Sequence, residues 1–245
     1  KAEPIPPGHY RHCFGFYAVF LKDVKCGDLR YGRNYYDYQE GTLVFIAPGQ
    51  VVGIEDNGEV FQPKGWALLF HPDLIRGTSL GRSMDEYTFF SYEANEALHL
   101  SEQERLVVLE CLQNITGELN HAIDKHSRRL IVSNIELLLN YSIRFYERQF
   151  ITRENRNKTV LEELETLLDD YIASGRLAGA LLPTSEYCAT GLGLSVPYFN
   201  DLLKFETGKT LDEYFQLRRL ETAKRMLLKA ENTPAVVARR LGYAS

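Results

Sequence analysis

Residues 184–228 read TSEYCATGLGLSVPYFNDLLKFETGKTLDEYFQLRRLETAKRMLL. The first part of this stretch predicts two short helices around a tight, glycine-rich turn. The first helix, from Ser185 to Leu192, places the small Ala189 on its inner face, so that another helix can cross it at close range. Gly191 and Gly193 supply the glycines of the turn. The stretch therefore predicts a pair of helices packed at a fixed angle.

The second helix of the pair has start and stop signals at both ends. Ser195 is suited to cap its N-terminus, and Pro197 falls in the first turn, where a missing N–H is harmless. We expect the helix to run to about Thr207, where Gly208 can end it. Its apolar residues form a buried stripe, namely Phe199, Leu202 and Leu203. Its polar residues are expected to face outward, namely Tyr198, Asn200, Asp201 and Lys204.

A longer third helix follows and connects this pair to a second, similar segment. Thr210 or Asp212 can cap it, and residues 211–228 would span about 27 Å. We expect its apolar face to contain Tyr214, Leu217, Leu220, Ala223 and Leu227. After a break at 232–234, the segment AVVARRLGYAS restarts the first pattern. Two such units on one rigid helix approach the ~34 Å spacing of adjacent major grooves, which indicates DNA binding.

These residues resemble the DNA-binding domain of AraC/XylS-type bacterial transcription regulators over about the last third of the chain. The resemblance is carried by Leu194, Ser195, Tyr198, Phe199, Leu202, Lys204, Thr207, Gly208, Lys209, Tyr214, Arg219, Leu220, Ala223, Leu227, Ala238, Leu241, Gly242 and Tyr243. Asp201 and Phe205 depart from the family pattern, in which polar or basic residues are usual. The chain ends at Ser245, inside the second helix-turn-helix, so at most half of the family's DNA contacts are expected.

Eight side chains are predicted to contact double-stranded DNA. They are Ser195 and Tyr198 at phosphate or sugar, Asn200, Asp201 and Lys204 at base edges, and Lys209, Arg239 and Arg240 at the backbone. Asn can recognise adenine, Lys guanine, and Asp the amino group of cytosine. For each position the alternative is an ordinary exposed polar residue.

Composition and charge agree with a two-domain regulator. The 245 residues carry a net charge of −5, with nine basic against seven acidic side chains in residues 183–245. The other 182 residues hold nineteen basic against twenty-six acidic side chains. Four scattered cysteines indicate reduced thiols in a cytoplasm, and no apolar run reaches the ~18 residues of a membrane span. Charge alone leaves a solvated mixed surface as the alternative.

The N-terminal part predicts short strands separated by turns, and so an α+β protein overall. Strands are expected in 14–20, 42–47 (TLVFIA), 51–54, 66–70 (WALLF) and 87–90, with a hairpin turn at Asn57 and Gly58. Such strands suit a small barrel or sandwich. The resemblance implies a cupin-like β-barrel with flanking helices here, and an all-helical helix-turn-helix domain at the C-terminus.

Two helices should follow the strands. The first begins with a capping box at Ser101 and Glu104, and the second runs from about Ser127 to Arg148. The second helix is apolar on more than one side, which favours a homodimer through it; a single intramolecular core is the alternative. Polar, aperiodic residues then predict a linker. We therefore divide the chain into a sensing and dimerisation domain (1–150), a linker (151–158) and a truncated DNA-binding domain (159–245).

The candidate ligand-binding residues of the first domain are aromatic or cationic, and they could hold a sugar or another small metabolite. They are Arg30, Tyr31, Tyr36, Trp66 and His71, with packing of the domain surface as the alternative. The dispersed histidines predict no metal site, and no motif predicts catalysis or a cofactor.

The sequence therefore predicts a sequence-specific, DNA-binding transcription regulator that is not an enzyme and is controlled by a small-molecule effector, with RNA polymerase as a possible further partner. The alternative is a ligand-independent protein-interaction module with a degenerate helix-turn-helix. A cupin-type enzyme such as a sugar isomerase is a third possibility, and metal content and turnover would distinguish it.

Overall fold

The computed structural model describes residues 10–13, 15–22, 41–54, 65–93, 96–179, 181–228 and 232–243. The chain forms two compact units, Lys1–Gln149 and Phe150–Ser245. The first combines strands with helices, and in the second the regular elements among the described residues are all helical. The protein is thus of the α+β class. None of the helices in the described ranges is both long and apolar enough to cross a membrane.

Those strands of the first unit that the structure describes form two small antiparallel sheets. They are β1 (Tyr10–Cys13), β2 (Tyr17–Lys22), β3 (Thr42–Ile46), β4 (Val51–Ile54), β5 (Gly65–Phe70) and β6 (Leu98–His99). One sheet has the order β5-β2-β3-β6, and the other pairs β1 with β4. Val19 on β2 lies between Phe45 on β3 and Leu68 on β5, and all three are buried. The described sheet is small and open, so a cupin barrel is not confirmed.

The strands predicted at 42–47, 51–54 and 66–70 are confirmed, whereas the strand predicted at 87–90 is wrong. Residues Thr88–Ser91 form a 3₁₀ turn. In this turn the rings of Phe89 and Phe90 both pack on Phe45, with centroids 4.4 and 5.4 Å away. Neighbouring residues on a strand point to opposite faces, so a strand could not bury both rings together. The hairpin predicted at Asn57 and Gly58 lies outside the described residues.

In the described ranges, four helices belong wholly or mainly to the first unit: α1 (Pro72–Ile75), α2 (Ser79–Ser83), α3 (Glu102–Asn120) and α4 (Ser127–Thr152). The capping box predicted for α3 is confirmed. The Glu104 N–H donates to the Ser101 hydroxyl at 3.3 Å, and the Ser101 N–H donates to the Glu104 carboxylate at 2.8 Å. Glu104 also accepts both Nε and Nη2 of Arg148 at 2.9 Å, which joins the start of α3 to α4.

Residues 151–158, predicted to be the linker between the domains, are almost entirely helical, and their role as a linker stays a prediction. Every one of these residues is described, and Arg153 alone lies outside a helix, between α4 and α5 (Glu154–Ala173). The buried amide of Asn157 donates to the Phe150 carbonyl at 2.8 Å and to the Glu206 carboxylate at 2.7 Å. A polar side chain of this segment is thus hydrogen-bonded in the interior, and so the missing apolar period did not indicate coil.

The remaining helices of the second unit are α6 (Ser185–Leu192), α7 (Val196–Thr207), α8 (Leu211–Leu227) and α9 (Pro234–Arg240), after a 3₁₀ turn at Arg176–Gly179. They enclose one apolar core with α5. Its most deeply buried members include Leu164, Leu168, Leu177, Cys188, Ala189, Phe199, Leu203 and Leu241. The helix boundaries predicted for α6, α7 and α8 are confirmed to within a residue.

The buried face of α8 differs from the predicted one. Leu211, Phe215, Arg219 and Ala223, four residues apart, are buried. Leu217, Leu220 and Leu227 are 47%, 46% and 46% exposed. A helix turns by about 100° per residue, so a series with spacing three drifts around the axis and cannot stay on one face.

Candidate nucleic-acid interface

The turn between α6 and α7 holds the two helices in a fixed crossing. Gly193 adopts a left-handed conformation with φ 66°, and the N–H of Leu194 donates to the carbonyl of Ala189 at 2.9 Å. The Ala189 side chain is buried, as the close helix crossing predicted. A side chain at Gly191 would press on Leu167, with its Cβ 2.9 Å from Cδ2. The helix pair therefore packs tightly on α5.

Ser195 is the N-cap of α7, as the sequence predicts. Its hydroxyl accepts the N–H of Tyr198 at 3.3 Å, and the residue is buried. The outward orientation predicted for Tyr198 is wrong, because its side chain is only 6% exposed. Its ring packs edge-on against Phe150, with centroids 5.4 Å apart. Aromatic packing thus extends the buried face of α7 by one residue, and DNA contact by Ser195 and Tyr198 stays a prediction.

The side chains predicted at base edges, Asn200, Asp201 and Lys204, lie on or beside the exposed face of α7. Val196, Asn200 and Lys204 lie four residues apart and are exposed, whereas Asp201 is half-buried beside them. A spacing of four places residues on one side of a helix. One side of α7 therefore presents an amide and an ammonium group, which suit the acceptors that purines show in the major groove.

A hydrogen bond not foreseen from the sequence links Asn200 to α6. The hydroxyl of Ser185 donates to Oδ1 of Asn200 at 2.9 Å, across fifteen positions of the chain. Ser185 is the first residue of α6, directly after the N-cap Thr184, whose own hydroxyl accepts the N–H of Tyr187 at 3.1 Å. Propensity rules signal only the cap, because the contact with Asn200 depends on how the two helices cross.

The cations predicted at the DNA backbone lie at two other places. The Lys209 ammonium is half-buried, with its Nζ 3.4 Å from the carbonyl of Thr207. Arg239 and Arg240 are exposed in the last turn of α9, where positive charge also suits the helix dipole. The structure places these two arginines side by side in the chain, on a different helix from Asn200 and Lys204.

Ion pairs and a hydrogen bond join α8 to α5. Arg218 pairs with Asp169 at 2.9 Å and with Glu165 at 3.3 Å, and the Tyr214 hydroxyl donates to Glu165 at 3.0 Å. Burial and the hydrogen bond to Glu165 raise the pKa of Tyr214 to about 12. The buried Arg219 guanidinium lies 4.1 Å from the centre of the Tyr243 ring, a cation–π contact. Sequence reasoning assigned no role to Arg218.

Comparison with known families identifies the unit that carries these features. Residues 188–245, from the middle of α6 to the end of the chain, match a family model described as a helix-turn-helix domain. The chain carries an AraC-type helix-turn-helix. The AraC-type domain supports a DNA-binding transcription regulator with DNA as its partner. No curated protein matches the chain significantly.

The ligand-binding candidates of the first unit are not brought together in the described part of the chain. Arg30, Tyr31 and Tyr36 lie outside the described residues. Trp66 is half-buried on β5, whereas His71 is an exposed N-cap that accepts the N–H of Asp73 at 3.2 Å. Among the described residues, no group of three or more potential metal ligands occurs.

A cavity in the first unit lies elsewhere, and neither Trp66 nor His71 lines it. It has room for about one water molecule. Its lining residues are mainly aromatic, with one carboxylate, and comprise Val44, Phe45, Phe89, Tyr92, Glu93, Ala97 and Tyr146. A larger ligand would enter only if these rings moved apart.

Proposed function

We propose that the protein is a sequence-specific transcription regulator that inserts α7 into the major groove of DNA. The observation that supports this most strongly is the exposed pair Asn200 and Lys204, one turn apart on a helix whose start is fixed by Gly193 and Ser195. The other face of α7 is buried in the core, so the helix presents this side to a partner. Amide and ammonium donors on a groove-sized helix suit base edges.

Charge supports the same proposal. Exposed Arg239 and Arg240 can neutralise phosphates, Lys204 adds positive charge on α7, and Lys209 adds a partly covered cation. Asp201, half-buried on α7, opposes this attraction and favours an amino group such as that of cytosine. Binding should therefore depend strongly on sequence rather than on charge alone.

The first experiment is selection of genomic fragments by the protein, followed by affinity measurements on the enriched site. We expect one recurring site, and we expect Asn200→Ala and Lys204→Ala to weaken binding to it by about tenfold each. Gln216→Ala and Lys224→Ala, at exposed positions of α8, are the matched controls and should change affinity little. Failure to enrich any site would favour the protein-interaction module.

We further propose that the first unit controls DNA binding through a small effector such as a sugar or another metabolite. This requires the aromatic cavity beside Glu93 to open, because its closed form has room for about one water molecule; once open, its rings and carboxylate can stack on and hydrogen-bond a polar ligand. An effector acts by binding one arrangement of the protein more tightly than another. Titrating candidate metabolites while operator affinity is measured tests the idea, and Phe89→Ala should abolish any response.

A homodimer is proposed to form through α4, with RNA polymerase as a partner once the dimer is on DNA. Leu130 and Leu137, seven residues apart on α4, are each 45% exposed, which supports a helix-to-helix contact. Sedimentation of the protein at micromolar concentration should show a dimer, and Leu137→Asp should shift it toward monomer. A monomer at high concentration would remove this proposal.

A further inference from the structure

Asn200 does not present its amide freely. Its Oδ1 already accepts a hydrogen bond from the Ser185 hydroxyl at 2.9 Å, although both side chains lie at the surface of the helix pair. In this arrangement the oxygen end of the amide faces α6. The NH₂ end, with its two donors, is left on the open side of α7.

This orientation limits what Asn200 can recognise. An unrestrained Asn can turn either its oxygen or its nitrogen toward a base, and therefore can satisfy an acceptor or a donor. With the oxygen engaged by Ser185, the side chain acts toward DNA chiefly as a donor. Purines offer the N7 acceptor in the major groove and thymine offers O4, whereas cytosine offers there only its N4 amino donor.

We propose that Ser185 is a positioning residue that sets base specificity by holding Asn200 as a hydrogen-bond donor, so that the base facing Asn200 is one with a major-groove acceptor and cytosine is rejected. The proposal rests on the proposed function, because it assumes that α7 enters the major groove. Ser185 itself need not touch DNA. Its effect passes through the orientation of one amide.

The test compares operator variants that differ at a single base pair. That base pair is the position at which the Asn200→Ala variant no longer distinguishes between bases. For the unaltered protein we expect binding to be about tenfold tighter with a purine than with cytosine at this position. Ser185→Ala frees the amide to rotate, and the ratio should fall to about twofold through improved binding of the cytosine site. Ser185→Thr keeps a hydroxyl and should restore the preference.

The outcomes separate the two proposals. A general loss of folding in Ser185→Ala would weaken all four operator variants equally, so the change in ratio reports the amide orientation. An unchanged ratio in Ser185→Ala, or a cytosine preference in the unaltered protein, overturns the role of Ser185 and leaves DNA recognition by α7 intact. If the unaltered protein prefers no sequence at all, the proposed function fails, and the role of Ser185 fails with it.

Discussion

Gly242 is a residue whose identity is required by both its conformation and its surroundings. Its φ of 69° lies in the left-handed region, and a methyl group added there would overlap the carbonyl oxygen of Leu177. Gly242→Ala should therefore lower the free energy of unfolding by about 3 kcal/mol, combining backbone strain with displacement of the 3₁₀ turn. Denaturant unfolding followed by circular dichroism measures this.

Gly193 provides the matched control for that substitution. Its φ of 66° is nearly the same, but an added methyl meets no described atom within 4 Å. Gly193→Ala should therefore lower the free energy of unfolding by about 1 kcal/mol, through backbone strain alone. Equal losses in the two variants would show that close packing at Leu177 is unimportant.

The phenol of Tyr214 should ionise at a higher pH than that of an exposed tyrosine. Its pKa is raised from 10.0 to about 12 by burial and by the hydrogen bond to Glu165, so the folded state holds the phenol proton more tightly than the unfolded state. The contribution to stability is complete below pH 10 and is lost as the pH rises toward 12.

Alkaline titration of tyrosinate absorbance checks this value. The difference between the folded protein and Tyr214→Phe should isolate one phenol that ionises well above the usual range. Tyr214→Phe should also show a weaker fall in stability between pH 10 and 12. A difference spectrum centred near the ordinary pKa would mean that Tyr214 is not held against Glu165.

Among the helices, α8 offers the clearest contrast between a buried and an exposed apolar position. Phe215→Ala should lower the free energy of unfolding by about 3–5 kcal/mol, because it empties a position in the core. Leu217 was predicted to lie on the buried face but is 47% exposed. Leu217→Ala should therefore lower the free energy of unfolding by less than about 1 kcal/mol. Comparable losses of stability in the two variants would indicate that Leu217 lies on the buried face of α8, as the sequence predicts.

Local signals made the helix pair predictable from the sequence. Ser195 and Gly208 mark the start and end of α7 through bonds to their immediate neighbours, and the capping box at Ser101 works in the same way. The face of α8 and the turn at Phe89 were mispredicted, since which side is buried depends on what packs there. The helical course of 151–158 depends on Asn157 meeting Glu206, nearly fifty residues away.

For the candidate DNA-contacting residues, too, local sequence signals did not reveal contacts between distant parts of the chain. Asn200 and Lys204 could be found because four-residue spacing on a helix places them together. Tyr198 was assigned to the wrong side because its partner, Phe150, lies in a distant part of the sequence. Ser185 carried no signal, since its bond to Asn200 arises only when the two helices cross.

At the scale of the whole molecule, the salt dependence of DNA binding should reflect a small number of phosphate contacts. Each cation that neutralises a phosphate contributes about −0.9 to the slope of log affinity against log salt. Arg239→Ala and Arg240→Ala should each reduce the steepness by about 1 on any DNA sequence.

Arg76→Ala is the matched control for these arginine variants. Arg76 is an exposed arginine of the first unit and is paired with Asp73 at 2.6 Å, so its loss should leave the slope unchanged. An unaltered slope in all three variants would place the phosphate contacts elsewhere.

Among the described residues, Cys111 on α3 of the first unit and Cys188 on α6 of the second are buried. Burial raises the pKa of both thiols, that of Cys188 to about 11, so neither is a ready nucleophile while its surroundings are closed. Alkylation at either position must therefore wait for local opening. Timed labelling with a thiol reagent, followed by mass spectrometry of the peptides, would measure the rate of local opening in each unit separately. The native cysteines serve as the reporters, so no labelling site has to be introduced.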